Sequence, residues 1–487
     1  MGFLPQRSFL EKYFRNKKVL IVGLGVQGGG TGVAKFLARC RARLTITDLR
    51  SKTELRKSIR ELKGIPAVYV LGEHRKEDFR AADLIIKSPA VSWSSPYLVF
   101  ARSHHIPIDT DIGIFFELCR SPSIGVTGTK GKSTTATLIH RFLQSNNKKF
   151  RVFLAGNIGT SVLEVLPRIT SRSYVVLELS SWQLEGMARH RKSPEIAVLT
   201  NILPDHLNRY SSFSSYQRAK ELIFAYQKPG DLTVVNFDND YTRALVSRIK
   251  SRIMLYSRLP QFLKRVQSPK TRNKVQVGAF VEKGIVFFGE ERRPVISTDH
   301  IKLNGSHNLE NVLAAVSVAA YLGIPLSSVR KVLTRFSGLP HRLECISSKN
   351  GISWYNDTAA TMPDAVLCAL NTLKPRYRRL ILIAGGEDKG LDYSKLGKRI
   401  PRFVSSCILL PGSASEKLKG VITKHHKRFI TRCLVEVSSI EEAVKIARKG
   451  ARKGDAVLLS PGAASFNLFA NEFERGRRFK KAVALLR

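Results

Sequence analysis

The chain has 487 residues, 43% hydrophobic and 24% charged, enough for two to four domains with cores of their own and unlike a disordered or fibrous protein. Its 81 Lys and Arg against 38 Asp and Glu leave a formal charge of +43. That excess is spread along the chain, in pieces such as 376–379, 424–428 and 475–481, so a general attraction for anionic substrates is expected, not dedicated nucleic-acid recognition. Six cysteines without a Cys-x-x-Cys pair argue against a zinc site and a disulfide framework. No run of 18 apolar residues and no apolar leader is present, so no membrane span and a cytoplasmic location are expected.

Val19 to Val22 reads as a buried strand running into Gly23-Leu24-Gly25-Val26-Gln27-Gly28, then a helix to about Ala38 and a strand, Leu44 to Thr47, ending at Asp48. Strand, glycine turn, helix and a strand-terminal acid about twenty residues on make a Rossmann-type unit that offers a helix N-terminus to a diphosphate. Taken alone it suggests NAD. Arg50 beside Asp48 also admits another diphosphate such as a UDP-sugar, and a purely structural turn is the plain alternative. Strand and helix alternation continues through Ala67 to Leu71, Leu84 to Ile86 and Ile106 to Ile108, and a first domain should close near Ser121-Pro122.

The stretch Gly125-Val126-Thr127-Gly128-Thr129-Lys130-Gly131-Lys132-Ser133-Thr134 follows a short apolar strand and precedes an apolar helix. Such a turn aims backbone N–H groups at a phosphate chain, Lys132 can reach the terminal phosphates, and Ser133 or Thr134 can hold Mg²⁺. The glycine spacing is not the strict one, so the competing reading is a chance Gly-Lys-Ser turn. Downstream, Gly156 to Gly159 is a polar turn, and the strand Tyr174 to Leu177 ends at Glu178, where a Mg²⁺ ligand is needed. A strand from Ile196 to Thr200 leads to His206, and a helix from Tyr216 to Phe224 carries Lys220. A solvated histidine and a plain surface lysine are the ordinary readings of those two.

Thr233 to Asn236 is another strand, 243–272 is basic without a readable pattern, and Val275 to Phe288 resembles a hairpin turning near Lys283-Gly284. Asn308 and Asn311 stand one turn apart at the start of an Ala/Val-rich helix, able to cap it or to contact a base. Gly338 to Arg342 reads as a hinge. Beyond it come strands at Ser353 to Tyr355, Leu380 to Ala384, Cys407 to Leu410 and Ala456 to Leu459, each followed by a polar or glycine loop. That order suggests a doubly wound domain whose loops gather at one edge.

Together these motifs resemble the Mur ligases of peptidoglycan synthesis, over essentially the whole chain. Glu178-Leu179-Ser180-Ser181-Trp182-Gln183-Leu184, Ser465-Phe466 and Phe473-Glu474-Arg475-Gly476 are most similar to the D-glutamate-adding branch. The resemblance implies an α/β fold of three domains: a Rossmann-like UDP-binding domain at 1–121, a central P-loop ATPase-like domain with a mostly parallel sheet at 122–338, and a Rossmann-like amino-acid-binding domain at 339–487. It implies an ADP-forming amide ligase that uses ATP and Mg²⁺ to join D-glutamate to UDP-N-acetylmuramoyl-L-alanine through an acyl phosphate. Action as a monomer, away from membrane and nucleic acid, is expected.

By the same resemblance, Gly128, Thr129, Lys130, Gly131, Lys132, Ser133 and Thr134 cradle ATP, with Asn308 and Asn311 at adenine and Arg342 and Asp357 at phosphates and ribose. Ser133, Thr134, Glu178 and His206 hold or face two Mg²⁺ ions, joined by Lys220 as a carbamate. Gly23, Gly25, Asp48, Leu49 and Arg50 bind the uridine diphosphate, and Asn157, Ser180 and Gln183 lie near the muramoyl-alanine end. Thr361, Lys389, Ser465, Phe466 and Phe473 form the D-glutamate pocket. Two departures fall in that last pocket: Ala359 replaces a lysine common in the family, and Glu387 stands where aspartate is expected. The competing functions are a sister ligase, such as another Mur branch or a folylpolyglutamate synthase, and a basic P-loop protein that binds nucleic acid without ligating. An NAD oxidoreductase would leave the Gly128 turn unexplained.

Overall fold

The computed structural model describes residues 7–26, 28–146, 150–204, 209–259, 262–266, 275–303, 305–465 and 468–486. It contains three sheets. In the first, β1 (Lys18–Val22), β2 (Arg43–Asp48), β3 (Ala67–Leu71), β4 (Leu84–Lys87) and β5 (Ile108–Asp109) are all parallel in the order β3-β2-β1-β4-β5. The strand order therefore reverses between β1 and β4. The central strands β1 and β4 are short apolar runs closed by glycine or a polar residue, as strands covered on both faces require, while the edge strand β3 leaves Val68 exposed.

The second sheet takes β6 (Ser123–Thr127), β7 (Arg151–Gly156), β8 (Ser173–Glu178), β9 (Ile196–Leu199), β10 (Leu232–Asn236), β11 (Arg252–Ser257), β12 (Val275–Glu282), β13 (Ile285–Phe288) and β14 (Arg293–Ser297). Its order is β14-β13-β12-β11-β10-β9-β6-β8-β7, parallel from β7 to β12 and antiparallel through the β12-β13-β14 hairpins. The turn expected near Lys283-Gly284 is there, with φ of 46° and 75°, the pair of positive values that a two-residue hairpin needs. β11 lies inside the stretch that offered no pattern. Its five residues from Ile253 to Ser257 are buried, and the basic loops on either side hid the short apolar run.

The third sheet holds β15 (Glu344–Lys349), β16 (Ile352–Asn356), β17 (Leu380–Gly385), β18 (Ser406–Leu410), β19 (Leu434–Glu436) and β20 (Ala456–Leu459), in the order β15-β16-β20-β17-β18-β19. β15 pairs antiparallel with β16 and the others are parallel. By contact density the chain forms two compact units, Met1–Ile301 with His307–Arg335, and Lys302–Ser306 with Phe336–Arg487. Apolar side chains from the first and second sheets, from Phe14 to Phe280, make one continuous cluster. The third sheet has a separate cluster on each face, which is the signature of a doubly wound layer.

Candidate active site

Strand register builds the central site. Val126 and Gly156 both pair with Glu178, and Thr127 pairs with Leu199, so four neighbouring parallel strands end together, at the edge where such sheets leave a crevice. The turn from β6 into the helix Lys132–Ser145 needs glycine at two points. Gly128 and Gly131 have φ of 149° and 87°. A Cβ on Gly128 would stand 1.9 Å from Thr200 Oγ1, and one on Gly131 2.1 Å from Asn311 Oδ1. The turn is pinned from β9: Thr129 N–H donates to the Asn201 carbonyl at 2.8 Å, Lys130 N–H to Asn201 Oδ1 at 2.9 Å, and Thr200 Oγ1 to the Lys130 carbonyl at 2.6 Å. Lys132 Nζ folds back to the Gly128 and Thr129 carbonyls at 2.9 and 3.0 Å, which holds a cation over the cradle.

Glu178 is 2% exposed. Its Oε1 accepts from Asn157 Nδ2 at 3.0 Å, and its Oε2 has no hydrogen-bond partner among the described residues. A buried carboxylate oxygen left this way is costly unless a cation meets it. With the Ser133 and Thr134 hydroxyls opening the adjacent helix, the donor set is all oxygen, which suits Mg²⁺. No group of three His, Cys, Asp or Glu gathers as a metal site among the described residues, so phosphate and water would complete the shell. Lys220 is buried, and its Nζ donates to Thr127 Oγ1 at 3.1 Å and the Gly128 carbonyl at 3.0 Å. In that state it braces the cradle from below. His206 lies outside the described residues.

In the first sheet, Gly23 (φ 90°) packs so closely on the segment after β4 that a Cβ would come within 2.8 Å of Ser88 Cβ. Asp48 turns inward: Oδ2 accepts from Gly25 N–H and Oδ1 from Arg50 N–H, both at 2.9 Å. It ties the glycine turn to the end of β2, while Leu49 next to it is 64% exposed and free to meet a ligand. In the third sheet, Asn356, Leu459 and Ile383 are in register. The loops bearing Asp357 and Thr361, Lys389, and Ser465 therefore leave one edge. Lys389 is exposed, Ser465 is buried, and the Phe473 ring lies 5.6 Å from that of His341. Phe466 falls outside the described residues.

Three family models match in series: Mur ligase MurD-like, N-terminal domain at residues 17–110, Mur ligase middle domain at 126–319, and Mur ligase, glutamate ligase domain at 341–462. The UDP-N-acetylmuramoylalanine--D-glutamate ligase of Roseiflexus sp. is 40% identical over 476 residues, covering 96% of this chain and 98% of the relative. The chain belongs to the Mur ligase family. The corresponding relative in Acetivibrio thermocellus is 35% identical over 97% of each chain. The UDP-N-acetylmuramate-alanine ligase MurC of Thermotoga maritima aligns over 96% of this chain and 99% of its own at a TM-score of 0.62 and 20% identity, a likeness of fold.

Several residues of this Mur ligase have structural work beside any ligand role. Ser180 and Gln183 form a capping box at the start of the helix Ser181–Ala188: Gln183 N–H donates to Ser180 Oγ at 3.3 Å and Ser180 N–H to Gln183 Oε1 at 3.1 Å. Asn311 is 4% exposed and donates to Asn308 Oδ1 at 3.1 Å, while its own Oδ1 accepts from Thr135. It therefore packs beneath Gly131 and sets the height of the cradle. Thr200, Asn201 and Asn311 were not legible as loop-pinning residues, because nothing in their spacing ties them to a turn 70 to 180 residues earlier.

Asp357 is buried, accepting from Leu343 N–H at 3.0 Å and Ser460 Oγ at 2.8 Å. Burial pushes its carboxyl up to about 7, against the pull of those hydrogen bonds and of Arg342. The native state thus keeps a proton that the unfolded chain loses between about pH 4 and 7, and stability falls as pH rises through that window. Asp357→Asn cannot ionise. Between pH 5 and 8 its unfolding free energy should shift relative to the wild type, in the variant's favour, by about 3 kcal/mol. Denaturant titrations at the two pH values measure this, and a pH-independent difference would contradict it.

Proposed function

We propose that this Mur ligase joins D-glutamate to UDP-N-acetylmuramoyl-L-alanine with ATP, releasing ADP and phosphate. The observation that carries the reaction class is the register of β6 with β8, which sets a triphosphate cradle beside a buried carboxylate with one open oxygen. The choice of amino acid draws on the names of the full-length relatives. The substrate carboxylate takes the γ-phosphoryl group, the amine of D-glutamate attacks the acyl carbon, and the tetrahedral intermediate expels phosphate to leave the amide.

The chain's own task is alignment and charge stabilisation. Lys132 and those N–H groups from Gly128 to Thr134 that are not already given to Asn201, as those of Thr129 and Lys130 are, hold the phosphates. Ser133, Thr134, Glu178 and His206 would hold Mg²⁺, together with Lys220 in its carbamate form. The ion, when bound, would neutralise phosphate charge. Gly23, Gly25, Asp48, Leu49 and Arg50 would take the uridine diphosphate, and Asn157, Ser180 and Gln183 the muramoyl-alanine end. Asn308, Asn311, Arg342 and Asp357 would meet the rest of ATP, and Thr361, Lys389, Ser465, Phe466 and Phe473 the D-glutamate. The division into domains at 121 and 338 belongs to the same reading and is supported by one sheet in each segment. So does a monomeric, cytoplasmic enzyme that needs no nucleic acid; no helix among the described residues is long and apolar enough to cross a membrane.

Purified chain, ATP, Mg²⁺ and UDP-N-acetylmuramoyl-L-alanine should release phosphate with D-glutamate and at most a few per cent as fast with L-glutamate. Equal release with another amino acid, or none with D-glutamate, would overturn the assignment.

A further inference from the structure

Lys87 is a charged side chain that the reading above leaves without a task. It ends β4, directly in register with Val22, the last residue of β1 before the glycine turn. These are the two strands between which the order of the first sheet reverses, and a doubly wound sheet binds its ligand outside that point. Lys87 is 1% exposed, and its Nζ makes no hydrogen bond among the described residues. The Trp93 ring covers it with the ammonium 4.5 Å from the centroid, and Arg189 lies against the same ring at 4.4 Å.

The surroundings do not satisfy this cation. Asp111 and Glu185 lie within Coulomb range, but neither comes into hydrogen-bond contact with it, and Arg209 and Arg189 oppose them with like charge. Burial with these cations brings the Lys87 ammonium down to about 8. Arg209 holds the covering segment in place, donating to the Pro89 and Ala90 carbonyls at 3.0 and 2.9 Å and stacking on Trp182 at 4.0 Å. A buried ammonium with three donors and no acceptor is a strained arrangement in a protein interior. At the ligand edge of a sheet it is what an arriving oxyanion would relieve.

We propose that Lys87 is an anion-binding residue of the sugar-nucleotide site, contributing a charged hydrogen bond to an oxyanion of the substrate beside the Gly23 turn. This rests on the ligase reading, since it takes the sugar nucleotide as the occupant of the first sheet. The oxyanion is either the diphosphate or the carboxylate of the alanyl end, and the two are separable.

The test is calorimetric binding of UDP, of UDP-N-acetylmuramoyl-L-alanine and of ATP to the full chain and to Lys87→Met, which keeps the bulk and removes the charge, with Lys87→Arg as the charge-retaining control. Loss of one charged hydrogen bond should weaken binding about 10- to 100-fold. If the diphosphate is the partner, UDP and the full substrate weaken together; if the carboxylate is, only the full substrate does. Either pattern, with ATP affinity kept within twofold, a matching rise in KM for the sugar nucleotide alone, and partial recovery in Lys87→Arg, supports the assignment. Unchanged binding of both uridine ligands, or an equal loss for ATP with a lowered thermal midpoint, shows that Lys87 only neutralises Asp111 and Glu185, and overturns it. Should Lys87→Met fail to fold, Lys87→Gln is read in the same way. Wild-type protein that ligates nothing would instead sink the ligase reading, and this assignment with it.

Discussion

Glu178→Gln should lower kcat for D-glutamate-dependent ADP release by about 10²- to 10³-fold, and raise the Mg²⁺ concentration needed for half-maximal rate. The substitution conserves shape. Glutamine still offers an oxygen to Asn157 Nδ2, which donates to Oε1 at 3.0 Å, so the fold around β8 is preserved. What changes is the buried Oε2, which has no donor among the described residues and becomes an uncharged amide. If that oxygen faces a metal ion on the phosphates, its charge matters most when negative charge moves between β- and γ-phosphoryl oxygens. Steady-state rates over a Mg²⁺ titration measure both effects. A kcat within threefold of wild type would mean that Glu178 is an ordinary strand-terminal acid.

The largest effect on stability is expected at Arg475. Arg475 is 1% exposed, and its guanidinium gives all its described hydrogen bonds to the unit's own backbone carbonyls and one hydroxyl. Nε donates to Thr358 Oγ1 at 3.0 Å, Nη1 to the Ala463 and Ala464 carbonyls at 3.3 Å, and Nη2 to the Thr358 carbonyl at 3.1 Å and the Ala463 carbonyl at 3.3 Å. Burial brings its pKa down to about 10, so it is still charged at neutral pH. Arg475→Met removes the cost of burying the cation but strands the carbonyls of Thr358 and Ala463. Leaving buried acceptors without donors outweighs the gain, and about 3–5 kcal/mol should be lost. The thermal midpoint of the unit containing Phe336–Arg487 should fall by about 10 °C. Because Arg475 clamps the loops that carry Thr361 and Ser465, KM for D-glutamate should rise as well. A midpoint within 2 °C of wild type would refute the clamp.

Much of the architecture was legible because parallel strands buried on both faces are unbroken apolar runs ending in glycine or a polar residue. Ala456 to Leu459 is the same in both readings, and the strand before Glu178 extends only by Ser173 and Glu178 itself. The failures have a common origin. β11 sits among basic loops, β15 begins two residues after the turn taken as a hinge, and β19 has three residues; each is held by its neighbours in the sheet more than by its own pattern. Side-chain roles follow the same rule. The phosphate cradle is local chemistry, a turn, a lysine and two hydroxyls within ten residues, and so it was visible at once. Asn311 beneath Gly131, Thr200 against Gly128 and Lys87 beside Val22 are pairings across tens to hundreds of residues, and no periodicity encodes them.

The amino-acid sequence by itself therefore determined the strands that are unbroken apolar runs, where the glycine turns must bend, and that one of them is suited to a triphosphate, because each depends on residues within a turn or two of one another. Which strand ends stand side by side, which carboxylate oxygen is left without a donor and which buried cation without an acceptor were decided only by the tertiary structure. Strand order and register bring distant residues to within a few ångströms, and burial alone makes an unmet charge or hydrogen bond costly enough to point to a ligand.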